Sequence, residues 1–93
     1  MVLFVIFCID RDGAAEARRA NIQAHMDYVA AADVRVVMSG PLVTDDGAAP
    51  VGSLLIIDAA DRAAAEAFHH NDPLYKAGIW RSTELRAFDK RVG

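Results

Sequence analysis

Two short segments of this chain, residues 2–9 (VLFVIFCI) and 54–57 (LLII), are apolar at every position. In an extended chain, successive side chains point to opposite faces. A strand made from either segment therefore shows apolar groups on both sides, and its sheet must be covered twice. A sheet with one solvated face would alternate cleanly instead. The chain has 93 residues, enough for one domain over residues 1–93. A domain of this size buries only roughly 60–65% of its unfolded surface, so association with a second copy would help it.

The remaining elements follow from local signals. Residues 2–9 have the length and the aromatic and β-branched content of a strand, which Asp10, Arg11, Asp12 and Gly13 end. Residues 14–32 are Ala-rich and lack Gly and Pro, which predicts a helix. Ile22, His25, Met26 and Val29 share one face of it. Residues 34–38 form a second strand running into SGPL, and residues 43–50 a loop with turn chemistry at Asp46 and Gly47. Residues 53–58 form a third strand. Asp61 caps a second helix through RAAAEAFHH, and residues 79–88 alternate as a fourth strand.

Between that helix and that strand, residues 72–78 (DPLYKAG) read as one capped helical turn. Asp72 suits the N-cap, Pro73 the first helical position and Gly78 the left-handed C′ position. The order β-α-β-β-α-β predicts a ferredoxin-like α+β fold: one four-stranded antiparallel sheet with both helices on one face. The helices cover only that face. A second copy of the same sheet is the expected cover for the other, giving a homodimer of C2 symmetry.

Charge narrows the partners. The formal net charge is −3, and no basic run exceeds two residues. Neither nucleic acid nor an anionic membrane is expected. Residues 2–9 are too short to span a bilayer and no basic region precedes them, so the expected location is cytoplasmic. Cys8, the one cysteine, lies inside the same apolar run and reads as a buried small hydrophobe.

Several side chains could carry chemistry. His25 on an apolar helix face is commonly just a satisfied, partly buried residue. Its company favours a second reading: Arg18 lies two turns earlier on nearly the same face, and Asp72 follows the neighbouring helix. A His held by a carboxylate gains a fixed tautomer and the basicity that acid–base work needs. Asp72 is thus either a cap alone or half of an acid–base pair. Ser39, Gly40, Pro41 and Ser53 read either as parts of an irregular hairpin or as a loop lining a small-ligand cavity. Tyr75, inside the capped turn, could offer its hydroxyl to a ligand. His69 and His70 end the second helix, where the macrodipole favours them. A metal site would have to combine His25, His69 or His70, and Asp72; no close-spaced ligand pair supports it, and no metal is expected.

Together, RRANIQAH (18–25), SGPL (39–42), GS (52–53), NDPLYKAG (71–78) and the closing RAF (86–88) resemble the YciI-like (YCII-related) family over essentially the whole chain. The resemblance implies a dimeric α+β barrel and a suspected catalytic His–Asp pair in a cleft, here His25 and Asp72, with Arg18 matching the family's Arg. Where the family often carries a second basic residue just before the His, this chain has Ile22, and Arg19 is the nearby cation.

The expected protein is a small homodimeric enzyme without metal or organic cofactor, moving protons on a cyclic or phenolic metabolite. Isomerisation or elimination of halide would follow from proton abstraction on an activated ring. In this role His25 is base then acid, Asp72 orients it, and Arg18 stabilises an enolate or phenolate. The rival is a non-catalytic ligand-binding or structural dimer with a cavity filled by side chains. A third possibility is a subunit lending its cleft to a larger enzyme.

Overall fold

The computed structural model describes residues 2–93. The chain runs β1 (Val2–Asp10), α1 (Ala15–Ala30), β2 (Arg35–Val43), β3 (Pro50–Ala59), α2 (Arg62–His70), α3 (Pro73–Lys76) and β4 (Trp80–Phe88). The four strands form one antiparallel sheet in the order β2-β3-β1-β4. This is the α+β ferredoxin-like arrangement expected from the sequence, with the capped turn standing as a third, one-turn helix.

The two doubly apolar strands occupy the centre of the sheet. Alternation divides their side chains between its faces. Phe4, Ile6, Cys8, Leu55 and Ile57 are buried with Ala65 and Phe68 of α2 and form the main core. Leu3, Val5, Phe7 and Ile9, paired with Asp58, Ile56, Leu54 and Gly52, alternate to the other face. There Phe7 and Phe88 are about two-fifths exposed, at 40% and 41%, and Met38 at 56%. One face of the sheet is therefore covered by the chain's own helices, and the other keeps its apolar groups in contact with solvent.

Two boundaries differ from expectation. β2 extends through Ser39, Gly40 and Pro41 to Val43, and β3 begins at Pro50, so the connecting loop shrinks to residues 44–49. Ser, Gly and Pro have loop propensities, but β2 is an edge strand, where a sheet tolerates Pro. No neighbour at position 40 requires a glycine, since a Cβ there would meet nothing. At Gly52 one does: a Cβ would overlap the Cys8 carbonyl oxygen on the neighbouring strand.

The helix ends follow the capping signals closely. The Asp61 carboxylate accepts the Ala64 N–H at 2.8 Å, and Glu66 pairs with Arg62 rather than closing a capping box. The Asp72 carboxylate accepts the Leu74 N–H at 2.9 Å, with Pro73 at the first helical position. Gly78 ends that turn at φ +69°, in the left-handed region that Gly enters without strain.

Candidate active site

α1 is built unlike an ordinary surface helix. Its buried residues are Arg18 and His25, not aliphatic side chains. Met26, expected on the buried stripe, is 56% exposed. Arg18 and His25 face a cavity, while Ala17, Ile22, Tyr28 and Val29 pack half-buried against the core. That cavity, about 330 Å³, lies between α1 and the β2–β3 side of the sheet. Arg18, Ile22, His25 and Met26 line it from the helix, and Ser39, Gly40, Pro41 and Ser53 from the strands.

His25 and Asp72 meet across 47 residues of sequence. His25 Nδ1 lies 2.8 Å from Asp72 Oδ1 and 2.9 Å from Oδ2. Asp72 is 1% exposed and His25 8%. What joins them is α3, which packs against α1 and brings its N-cap to the middle of that helix. Asp72 therefore caps the turn and holds the His at once. Oδ1 serves both partners, while Oδ2 reaches His25 alone. A carboxylate only accepts, so Nδ1 carries the proton and donates it in a three-centre bond. Nε2 is left with its lone pair and, among the described residues, without a protein partner. This tautomer is the one a general base needs.

Arg18 is held as firmly. Its Nε donates to Asp10 Oδ2 at 2.7 Å, and Nη2 donates to Asp10 Oδ1 at 2.8 Å, the Gly52 carbonyl at 2.9 Å and Ser53 Oγ at 2.9 Å. Among the described residues Nη1 has no protein partner. Arg18 is 3% exposed, so the guanidinium is a fixed feature of the cavity wall and not a mobile surface cation.

Of the eight residues singled out from the sequence, seven gather here. His25, Arg18, Ser39, Gly40, Pro41 and Ser53 line the cavity, and Asp72 stands behind His25. Ser53 lies in β3, and its hydroxyl accepts from Arg18 Nη2. Tyr75 does not join them. Its ring packs edge-on against His69 at 5.0 Å and beside His70 at 4.9 Å, and it lines a different groove with Trp80. The one-turn helix fixes Asp72 at its start, and by Tyr75 the chain has rotated away from α1.

Asp10 is more than the end of the first strand: it anchors Arg18, a role that strand punctuation alone does not show. The signal was present in the alternation of β1: Phe4, Ile6 and Cys8 face the helices, and Asp10 is next in that series.

The other histidines do not approach this site as ligands. His69 stacks on Trp80 at 5.2 Å, with Nε2 3.2 Å from Thr83 Oγ1. Among the described residues no three His, Cys, Asp or Glu side chains gather where they could hold a metal ion. Cys8 is fully buried beneath the sheet's helix face. Burial pushes its thiol up to about 12, with Thr83 opposing and Asp72 and Asp10 adding to the shift. A thiol so placed is inert. Larger grooves exist, one of about 410 Å³ between the C-terminal end of α1 and α2, but it carries no comparable pair of polar groups.

Fold and site together define a small α+β protein whose cavity is walled by a His–carboxylate pair and an anchored Arg. A profile of the YCII-related domain matches residues 2–89, and the chain belongs to that family. Among solved structures it is similar to the 5-chloro-2-hydroxyhydroquinone dehydrochlorinase TftG from Burkholderia phenoliruptrix AC1100, determined in complex with 2,5-dihydroxybenzoquinone. The two share 30% identity and a TM-score of 0.85 over 94% of this chain and 93% of that one. Rv0793 from Mycobacterium tuberculosis shares the fold at 18% identity and a TM-score of 0.55, covering 99% of this chain and 96% of the other. No curated protein matches by sequence. Among the described residues no helix is long and apolar enough to cross a membrane.

Proposed function

We propose that this protein is a cofactor-independent lyase of the dehydrohalogenase type, acting in the cytoplasm as a homodimer on a small hydroxylated aromatic ring. The observation that carries the reading is the His25–Asp72 pair, held at 2.8 Å and 2.9 Å and turned to a cavity of about 330 Å³. Cavities that take small molecules begin at about that size. A cavity filled by side chains would have favoured a purely structural role. The likeness to TftG, whose name gives a chlorinated hydroxyhydroquinone as substrate, supports the ring chemistry.

The chemistry balances without an oxidant. His25 Nε2 takes a proton from a ring hydroxyl, and Asp72 stabilises the imidazolium that results. The phenolate sits against Arg18 Nη1. Its electron pair enters the ring, and the imidazolium returns the proton to the carbon bearing the halogen. A second hydroxyl then gives up its proton to His25, and its electron pair runs through the ring to expel halide. The ring leaves as a quinone and the net loss is one hydrogen halide. The carbon skeleton is oxidised at the expense of the carbon–halogen bond, so no external electron acceptor enters. Stopping after the first proton return would give an isomerase instead.

The test is halide release from chlorinated hydroxyhydroquinones, followed with quinone absorbance. His25→Ala should slow turnover by roughly 10²–10⁴-fold, the usual contribution of a positioned acid–base group. Asp72→Asn should slow it less. Asn still caps a helix, and its one oxygen can serve both Leu74 N–H and His25 Nδ1–H as Oδ1 does, but it carries no charge to stabilise the imidazolium. Equal turnover by wild type and His25→Ala would end the proposal.

The homodimer reading is supported by the uncovered sheet face. Leu3, Val5, Phe7, Ile9, Leu54 and Ile56 form a contiguous apolar surface there, and such a surface on a small protein marks an association site.

A further inference from the structure

The Arg18 guanidinium reaches the cavity, but Asp10, which does not line it, decides what the guanidinium can do there. Asp10 takes both Nε and Nη2 of Arg18 in a fork at 2.7 Å and 2.8 Å, the geometry in which a guanidinium and a carboxylate match best. The pair is almost sealed from water, with side-chain exposures of 4% for Arg18 and 10% for Asp10. At so short a range and so little solvent, Asp10 cancels most of the field Arg18 would cast into the cavity. Among the described residues no other charged side chain lines the cavity, and the carboxylate of Asp72, behind His25, is negative. Ile22, Met26, Ser39, Gly40 and Pro41 complete the lining and carry no charge.

We propose that Asp10 is a specificity-determining residue of this site: by fixing and neutralising Arg18, it makes the cavity accept an uncharged hydroxylated ring in preference to the same ring bearing a carboxylate. This rests on the hydroxylated-ring reading above. A carboxylate entering the cavity would give up its water and find no uncompensated positive charge in exchange. A neutral ring hydroxyl gives up little. When it passes its proton to His25, phenolate and imidazolium appear together, so the site gains no net charge. Nη1 then offers a directed hydrogen bond to an oxygen whose charge is already balanced.

Hydroquinone and 2,5-dihydroxybenzoate differ by that one carboxylate, and their binding can be measured by calorimetry without turnover. Wild type should bind hydroquinone at least about tenfold more tightly. Asp10→Asn keeps a side-chain oxygen for Arg18 but removes the charge, and should shift the affinity ratio toward the carboxylate by about tenfold or more. Asp10→Glu, which keeps the charge, should retain the wild-type preference. The double variant Asp10→Asn with Arg18→Gln has the same net charge as wild type and should also keep it; it decides the matter should Asp10→Asn fail to fold. Equal wild-type affinity for the two rings refutes the role of Asp10 and leaves the lyase reading standing. So does a folded Asp10→Asn with an unchanged ratio, or a double variant that prefers the carboxylate. A protein that binds neither ring overturns both.

Discussion

Asp72 does two jobs with one carboxylate, and each supports the other. The cap fixes the residue where α3 begins, and the fixed residue orients His25. Few side chains could do this: four acceptor sites on two oxygens are enough for Leu74 N–H and Nδ1–H together. His69 shows the opposite outcome for the same residue type. At the end of α2 the macrodipole favours a charged imidazole, but burial prevails and holds the pKa of His69 below its ordinary 6.5. Repulsion from His70 adds to this and Asp72 opposes it. The unfolded chain thus binds this proton more readily than the folded one. Stability from the neutral imidazole is fully present above 6.5 and is lost as pH falls from there through the lower folded value. Urea midpoints measured between about pH 7.5 and 5 should fall with acid. His69→Gln, which has no proton to gain, should flatten that slope.

Among the elements, the tightest constraint is where β3 pairs with β1. Gly52 leaves no room for a Cβ against the Cys8 carbonyl, and its own carbonyl accepts from Arg18. Gly52→Ala must push two central strands apart and shift the Arg18 anchor. It should cost about 1–3 kcal/mol in denaturant unfolding, as overpacking does. It should lower activity more than an exposed Gly40→Ala, for which a Cβ meets nothing. Strand and helix types were legible from periodicity and caps. The extent of β2 and β3 was not, because Ser39, Gly40 and Pro41 carry loop propensities that pairing along an edge overrides.

For the whole molecule, the question is what covers the second face of the sheet. Phe7 lies on the uncovered side of β1 and is 40% exposed, so a charge there disturbs the folded chain little. Wild type should sediment as a dimer at micromolar concentration. Phe7→Glu should sediment as a folded monomer, because a carboxylate buried between two such faces would have no partner. A wild-type monomer would remove the dimer from the proposal while leaving the cavity intact.

Signals local to the chain set the element order, the two-faced central strands, the cap at Asp72 and the candidacy of His25, Arg18 and Asp72. Each of these rests on residues that are neighbours in the chain, where periodicity and capping act, or on the family resemblance that their motifs carry. Three-dimensional packing makes Asp10 the anchor of Arg18, lets Ser53 help hold it, and turns Tyr75 away to a different groove. Those outcomes depend on how α3 and the strand ends pack against α1. Packing of segments tens of residues apart is settled by volume and hydrogen-bond closure in three dimensions, which no local pattern encodes.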